Sequence, residues 1–144
     1  MANPEHVERL KENTSAWNNW RQDLPDTKPD LSGADLRDLS FKGTNLSYAN
    51  LCNAALRWTQ LVDVDLRRAQ LIETDFRWAD LRGVKLCKAN LARARFDGTV
   101  IVRSNFDGAN LNGAFSMRLR SGSCRGPDYP ECPHDRGERV KPTS

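Results

Sequence analysis

Arginine and tryptophan recur in this chain at a spacing that could build a recognition surface. Arg37, Arg57 and Arg77 lie twenty residues apart, and Trp58 and Trp78 follow the second and third of them. Guanidinium groups offer forked donors to carboxylate or phosphate, and indole rings offer flat apolar area. Both residue types are enriched at the energetic centres of protein interfaces. The pattern points to a protein partner, with nucleic acid, reached through phosphates, as a lesser reading. A plainer account stands beside it. Asp35 and Asp75 flank the arginines and Asp97 stands where a fourth would fall, so the charges could pair in solvent for about 0–1 kcal/mol. The tryptophans could stack for stability alone, worth about 0.5–1.5 kcal/mol.

Other reactive groups carry less. The chain has two histidines, no glycine-rich phosphate loop and no nucleophile–base spacing, so an enzyme is not expected. His6 has no partner motif. Cys52 and Cys87 are 35 residues apart and should face outward on different sides, unpaired. Cys124, Cys132 and His134 form C-x7-C-x-H, without the tighter pairs and four ligands of a zinc site. No metal or cofactor is expected. Arg67, Arg68, Lys85 and Lys88 gather in the middle of the chain, where residues 56–105 hold ten Lys/Arg against six Asp/Glu.

A spacing of twenty needs an element with that period. Between Asp30 and Gly113 every fifth position is Leu, Phe or Ile, seventeen times in succession from Leu31 to Leu111. Two residues before each stands Ala, Thr or Ser, with Pro29, Leu39, Val64 and Val84 as larger occupants. Neither a helix, near 3.6 residues per turn, nor a strand, near 2, brings every fifth residue to one side. A square coil does. If five residues make one side, twenty make a turn, and both the central residue and the small one before it point inward. About four coils then span only about 20 Å at the inter-strand spacing. Residues twenty apart stack, so Asp30, Asn50, Gln70, Asn90 and Asn110 form a column whose amides can bond along the axis.

Ahead of the repeats, Asn3 can cap a helix, Pro4 suits its first position, and Glu5 and Glu8 complement its positive end. Val7, Leu10, Thr14 and Trp17 recur at helical spacing, Trp20 extends that face, and Leu24-Pro25 stops the helix near residues 21–23. One short helix is therefore expected to cover the first coil, as terminal units of solenoids must. The domains read as 1–28 helical cap and linker, 29–113 repeat solenoid, 114–120 a closing cap built on Phe115, Met117 and Leu119, and 121–144 a flexible tail rich in Gly and Pro.

The units Ala34-Asp35-Leu36-Arg37-Asp38, Ala49-Asn50-Leu51-Cys52-Asn53 and Ala109-Asn110-Leu111-Asn112-Gly113 resemble the A(D/N)LXX motif of the pentapeptide repeat family. The resemblance covers residues 29–113 and implies an all-β solenoid, a right-handed quadrilateral β-helix. Known members include proteins that protect DNA gyrase from quinolones or toxins, but most have no assigned role, so the resemblance implies the architecture and leaves the function open. Mimicry of DNA needs a long acidic rod, whereas residues 29–113 carry twelve Lys/Arg and ten Asp/Glu. The reading favoured is an interaction module showing Arg37, Arg57, Trp58, Arg77 and Trp78 to a protein partner. Gyrase protection and weak nucleic-acid binding by the basic middle are the alternatives. No dimerising C-terminal helix is visible, so a monomer is expected. No run of about 18 apolar residues and no basic-then-apolar leader occur, so neither a membrane nor export is expected. A cytoplasmic protein with reduced cysteines follows.

Overall fold

The computed structural model describes residues 1–116. Two short helices, α1 (Pro4–Glu12) and α2 (Thr14–Asp23), precede a column in which parallel bridges join residues twenty apart, from Asp30↔Asn50 to Arg95↔Phe115. On that register coil 1 is 29–48, coil 2 is 49–68, coil 3 is 69–88 and coil 4 is 89–108. The ladder runs past Gly113: Phe115 donates its N–H to Ala94 and accepts one from Phe96. The register thus outlasts the sequence period, because backbone bonds need no leucine. The segments expected to form a flexible tail and most of a closing cap, with Cys124, Cys132 and His134, lie outside the described residues.

The five-residue side follows from backbone bonding. Leu31 donates to Asn50 O at 2.7 Å, Asn50 donates to Pro29 O at 2.8 Å, and Ala34 closes a turn onto Leu31 O at 3.1 Å. The third residue of each turn has positive φ, as type II geometry requires. Of the seventeen corners from Gly33 to Gly113, six are glycine and the other eleven carry side chains in the left-handed region. That conformation costs roughly 1–2 kcal/mol for a residue with a Cβ. Coil-to-coil bonds and the sealed interior hold it in place.

Why Asp or Asn precedes the central leucine is visible in the turns. The side-chain oxygens of Asp30, Asp35, Asn45, Asn50, Asp65, Asp75, Asp80, Asn90, Asn105 and Asn110 each accept the backbone N–H two residues on. These are Asx turns, which a short carboxylate or amide makes and longer side chains do not. The expected amide ladder is the lesser part: Asn110 donates to Asn90 at 3.1 Å, and Asn90 approaches Gln70 at 3.5 Å.

The central residues from Leu31 to Phe106 and most of the small ones are buried, while Leu111 is partly exposed; Phe76 stacks on Phe96 at 5.3 Å between ring centroids. Interior hydroxyls are satisfied by carbonyls: Thr59 donates to Leu56 O at 2.6 Å, and Thr74 to Leu51 O at 2.8 Å.

The single helix expected at the start is two. Asn13 is extended (φ −167°, ψ 157°), and its side chain caps α2 by accepting the Ala16 N–H at 2.7 Å. A side chain that bonds its own backbone this way competes with helix continuation. The two helices stand in for a missing coil. Trp17, fully buried, donates its indole N–H to Asn45 O at 2.7 Å, and Asn18 accepts from Asn45 N–H at 2.8 Å. Buried Arg21 donates to Ser47 O at 2.9 Å and also to Thr27 O. Burial draws the Arg21 pKa down, partly offset by Asp65. His6, which had no evident role in the sequence, accepts the Asp30 N–H at 3.0 Å through Nδ1 and packs on Trp20. Open strand edges invite pairing with other chains, and these side chains occupy that edge on two sides of coil 1. Among the described residues no helix is long and apolar enough to cross a membrane.

Candidate functional site

The arginine and tryptophan columns occupy adjacent rows on one side of the solenoid, centred on Leu36, Leu56, Phe76 and Phe96. The row after each central residue reads Arg37, Arg57, Arg77, Asp97, and the corner row reads Asp38, Trp58, Trp78, Gly98.

The arginines are not equivalent. Arg37 forks onto Asp35 at 2.8 Å through both Nε and Nη2, and Arg77 forks onto Asp75 at 2.8 and 2.7 Å. Arg67 and Arg82 do the same with Asp65 and Asp80. The Asx turn holds the carboxylate and points its free edge at the side chain two residues on, so Asp-x-Arg forms a bidentate clamp. Residue 55 is alanine, so Arg57 has no such clamp and makes no ion pair among the described residues. Its Nε is buried without a hydrogen-bond partner, as is Oδ2 of Asp97, which makes a long ion pair with Arg95 at 3.9 Å. The Asp-x-Arg spacing was a readable signal that separates Arg57 from its neighbours.

Trp58 and Trp78 stack with centroids 5.4 Å apart and planes 10° from parallel, yet remain 55% and 49% exposed. A Cβ built on Gly98 would meet Cε3 of Trp78 at 2.1 Å, so the indole leans into the space that glycine leaves. Both tryptophans sit at left-handed corners, φ 63°, where a bulky residue is uncommon.

The clamps perturb titration. The Arg37 hydrogen bond brings Asp35 down from its ordinary 3.8 to about 2. Burial works to raise Asp65 and Asp75, but bonds from Arg67 and Arg77 outweigh it and leave both lowered. Each carboxyl then binds its proton more weakly folded than unfolded, so its contribution is complete above the ordinary value and is lost as pH falls through the folded one. Stability is accordingly expected to decline as pH drops from about 4 towards 2. The half-buried Asp65–Arg67 pair should account for about 0.5–1 kcal/mol. Urea midpoints across that range check it. Asp65→Asn, which keeps an Asx acceptor but cannot ionise, should flatten the slope; an unchanged slope contradicts the clamp.

Elsewhere the surface is less organised. In the basic middle, Arg67 is clamped, leaving Arg68, Lys85 and Lys88 beside Cys87, whose thiol is pushed up by burial and by Asp107. A shallow polar groove of about 510 Å³ on the next side includes Lys42, Val62, Asp63, Arg82 and Arg103 in its lining. Cys52 and Cys87 are free. Among the described residues no group of three or more His, Cys, Asp or Glu could hold a metal ion.

A stack of five-residue sides turning on Asx and left-handed corners is the signature of one repeat class. Pentapeptide repeats, eight copies, match the chain over residues 27–57, 53–86 and 79–115. The chain belongs to the pentapeptide repeat family, whose members form right-handed quadrilateral β-helices. Among solved structures it is similar to a pentapeptide repeat protein from the Arabidopsis thaliana thylakoid lumen, at 32% identity and TM-score 0.58, over 69% of this chain and 66% of that one. A pentapeptide repeat protein from Nostoc PCC 7120 matches at 32% identity and TM-score 0.56, over 63% of this chain and 74% of that one. QnrB1, a plasmid-mediated fluoroquinolone resistance protein, shares the fold at 18% identity and TM-score 0.54, over 61% of this chain and 44% of that one. The chain thus spans just under two thirds of the first of these proteins and less than half of QnrB1. No curated protein sequence matches.

Proposed function

We propose that the protein is a non-enzymatic interaction module, whose rigid solenoid presents the Arg57–Trp58–Trp78 face to a protein partner. One observation carries this reading: two stacked tryptophans, each about half exposed, stand beside an arginine with no ion-pair partner among the described residues. Corner positions suit glycine, as at Gly33, Gly43, Gly83 and Gly98. Tryptophan there leaves apolar area in water, and tryptophan is among the residues most enriched at binding hot spots. Arg37 and Arg77 frame the face and keep it charge-balanced through their clamps. The family's general character as structural or interaction modules agrees with this reading.

Mimicry of DNA finds less support, since the coils carry slightly more basic than acidic residues. The likeness to QnrB1 is one of fold.

Trp58→Ala with Trp78→Ala is expected to leave the circular dichroism spectrum in place and lower stability by about 0.5–1.5 kcal/mol. Affinity for proteins captured by the wild-type chain should weaken at least tenfold, about 1.4 kcal/mol. Equal capture by the double variant overturns the reading.

A further inference from the structure

We propose that the groove on the side centred on Phe41, Leu61, Leu81 and Ile101 binds an extended peptide segment whose alternate residues are acidic, basic and acidic. The groove lies apart from the Arg57–Trp58–Trp78 face, and the inference goes beyond the reading of that face.

Glycine at the corner makes the recess. The corner row of this side reads Gly43, Asp63, Gly83, Arg103, and neither glycine puts a side chain into it. The space is about 510 Å³, within the range of about 300–1,000 Å³ usual for ligand sites. Cations from three coils line it: Lys42 from coil 1, Arg82 from coil 3 and Arg103 from coil 4.

Charge alternates along the groove. Lys42 and Arg103 make no ion pair among the described residues. Arg82 is forked onto Asp80, through Nε at 2.9 Å and Nη2 at 2.6 Å. Asp63 leans towards the same place, since a Cβ built on Gly83 would collide with its Oδ1. Asp80 chiefly, and Asp63 to a lesser degree, raise the Arg82 pKa. Two carboxylates thus share one guanidinium and leave the middle of the groove negative. From coil 1 to coil 4 the groove reads positive, negative, positive.

Coil spacing sets the spacing of the ligand. Lys42 and Arg103 are three coils apart, about 14 Å along the axis. Asp63 and Asp80 belong to the two coils between. In an extended chain the first and fifth residues are about 13–14 Å apart, with the third about midway on the same face. A segment laid along the axis therefore sets its first and fifth side chains against Lys42 and Arg103, and its third against Asp63. Val62, half-buried in the floor, offers apolar surface to the stem of a basic side chain there. A helix brings residues four apart to about 6 Å and reaches only one of the two cations. A uniformly anionic strand, such as a nucleic-acid backbone, sets negative charge on Asp63 and is disfavoured.

The test is a titration of the full chain with the capped peptide Ser-Glu-Ser-Lys-Ser-Glu-Ser, read by amide chemical shifts. Saturable binding is expected at low salt with Kd below about 1 mM, and it should weaken as salt rises. The shifts should centre on Val62, Asp63, Arg82 and Arg103. A peptide of the same composition with lysine outside both glutamates should bind at least threefold more weakly. Lys42→Gln with Arg103→Asn should weaken binding at least tenfold. Both residues are exposed, and asparagine suits the left-handed corner at residue 103, φ 54°, so the variant should fold, as circular dichroism would establish. No saturable binding to wild type, equal binding of the reordered peptide, or shifts centred on Trp58 and Trp78 each overturn the proposal. So does a folded variant that binds like wild type. The capture experiment with Trp58→Ala and Trp78→Ala is unaffected by any of these results, so the two readings fail separately.

Discussion

Leu66→Asp is expected to unfold the protein outright. Leu66 is fully buried at the centre of coil 2, among the leucines and phenylalanines of the coils above and below. A carboxylate there must either ionise in a dry interior or take up a proton, and both are strongly unfavourable without a partner. The loss of leucine packing adds about 2–5 kcal/mol. The sum is comparable with the total stability of a small domain, about 5–15 kcal/mol. Because each coil bonds to its neighbours, a break at coil 2 separates coil 1 and the cap from the rest. Far-UV circular dichroism and a urea titration read the result, with Arg68→Asp as the control. Arg68 is exposed at a left-handed corner, φ 58°, where aspartate is among the better tolerated residues. A Leu66→Asp protein that melts cooperatively like wild type would contradict the coil register.

The second large effect is at the cap. Trp17→Ala should destabilise by about 3–5 kcal/mol, the range for removing a fully buried aromatic side chain. Trp17 does two things at once. Its ring covers the open end of coil 1, and its indole N–H occupies Asn45 O, one of the edge carbonyls with no coil beneath it. Trp17→Phe isolates the second role, keeping an aromatic ring while leaving that carbonyl without its donor, at a smaller cost of about 1–3 kcal/mol. Exposure of the coil edge should also make the alanine variant self-associate, since an unpaired edge is a template for another chain. Light scattering during a thermal ramp would register this. A soluble Trp17→Ala protein with an unchanged midpoint would mean that the helices merely rest on the solenoid.

Much of this fold is legible in the order of the residues, because the interior of a square coil admits only a narrow set of side chains. The central leucines and the small residues two before them follow one rule, seventeen times over. The Asx turns belong to the same rule, since Asp or Asn before the central residue is a local device acting over two residues. The break at Asn13 was less evident. Val7, Leu10 and Trp17 keep helical spacing across it, and only the capping of Ala16 by Asn13 divides α1 from α2. The roles of His6 and Arg21 were hidden for a different reason. Each satisfies a backbone group 24 or 26 residues away, and nothing in its own neighbourhood announces that.

The candidate face divides in the same manner. Stacking of Trp58 on Trp78 follows from the period of twenty, and the clamps on Arg37 and Arg77 follow from an aspartate two residues earlier. That Arg57 lacks its clamp can be read from Ala55. That its Nε and Oδ2 of Asp97 are both enclosed without a hydrogen-bond partner cannot be read that way. Sequence alone determined what repeats: the buried positions, the turns and the columns, each governed by contacts within five residues or by a constant offset of twenty. Tertiary structure decided how the column ends and which surface groups stay unmatched. Those outcomes depend on side chains meeting across several coils, where distance along the chain has no fixed relation to distance in space.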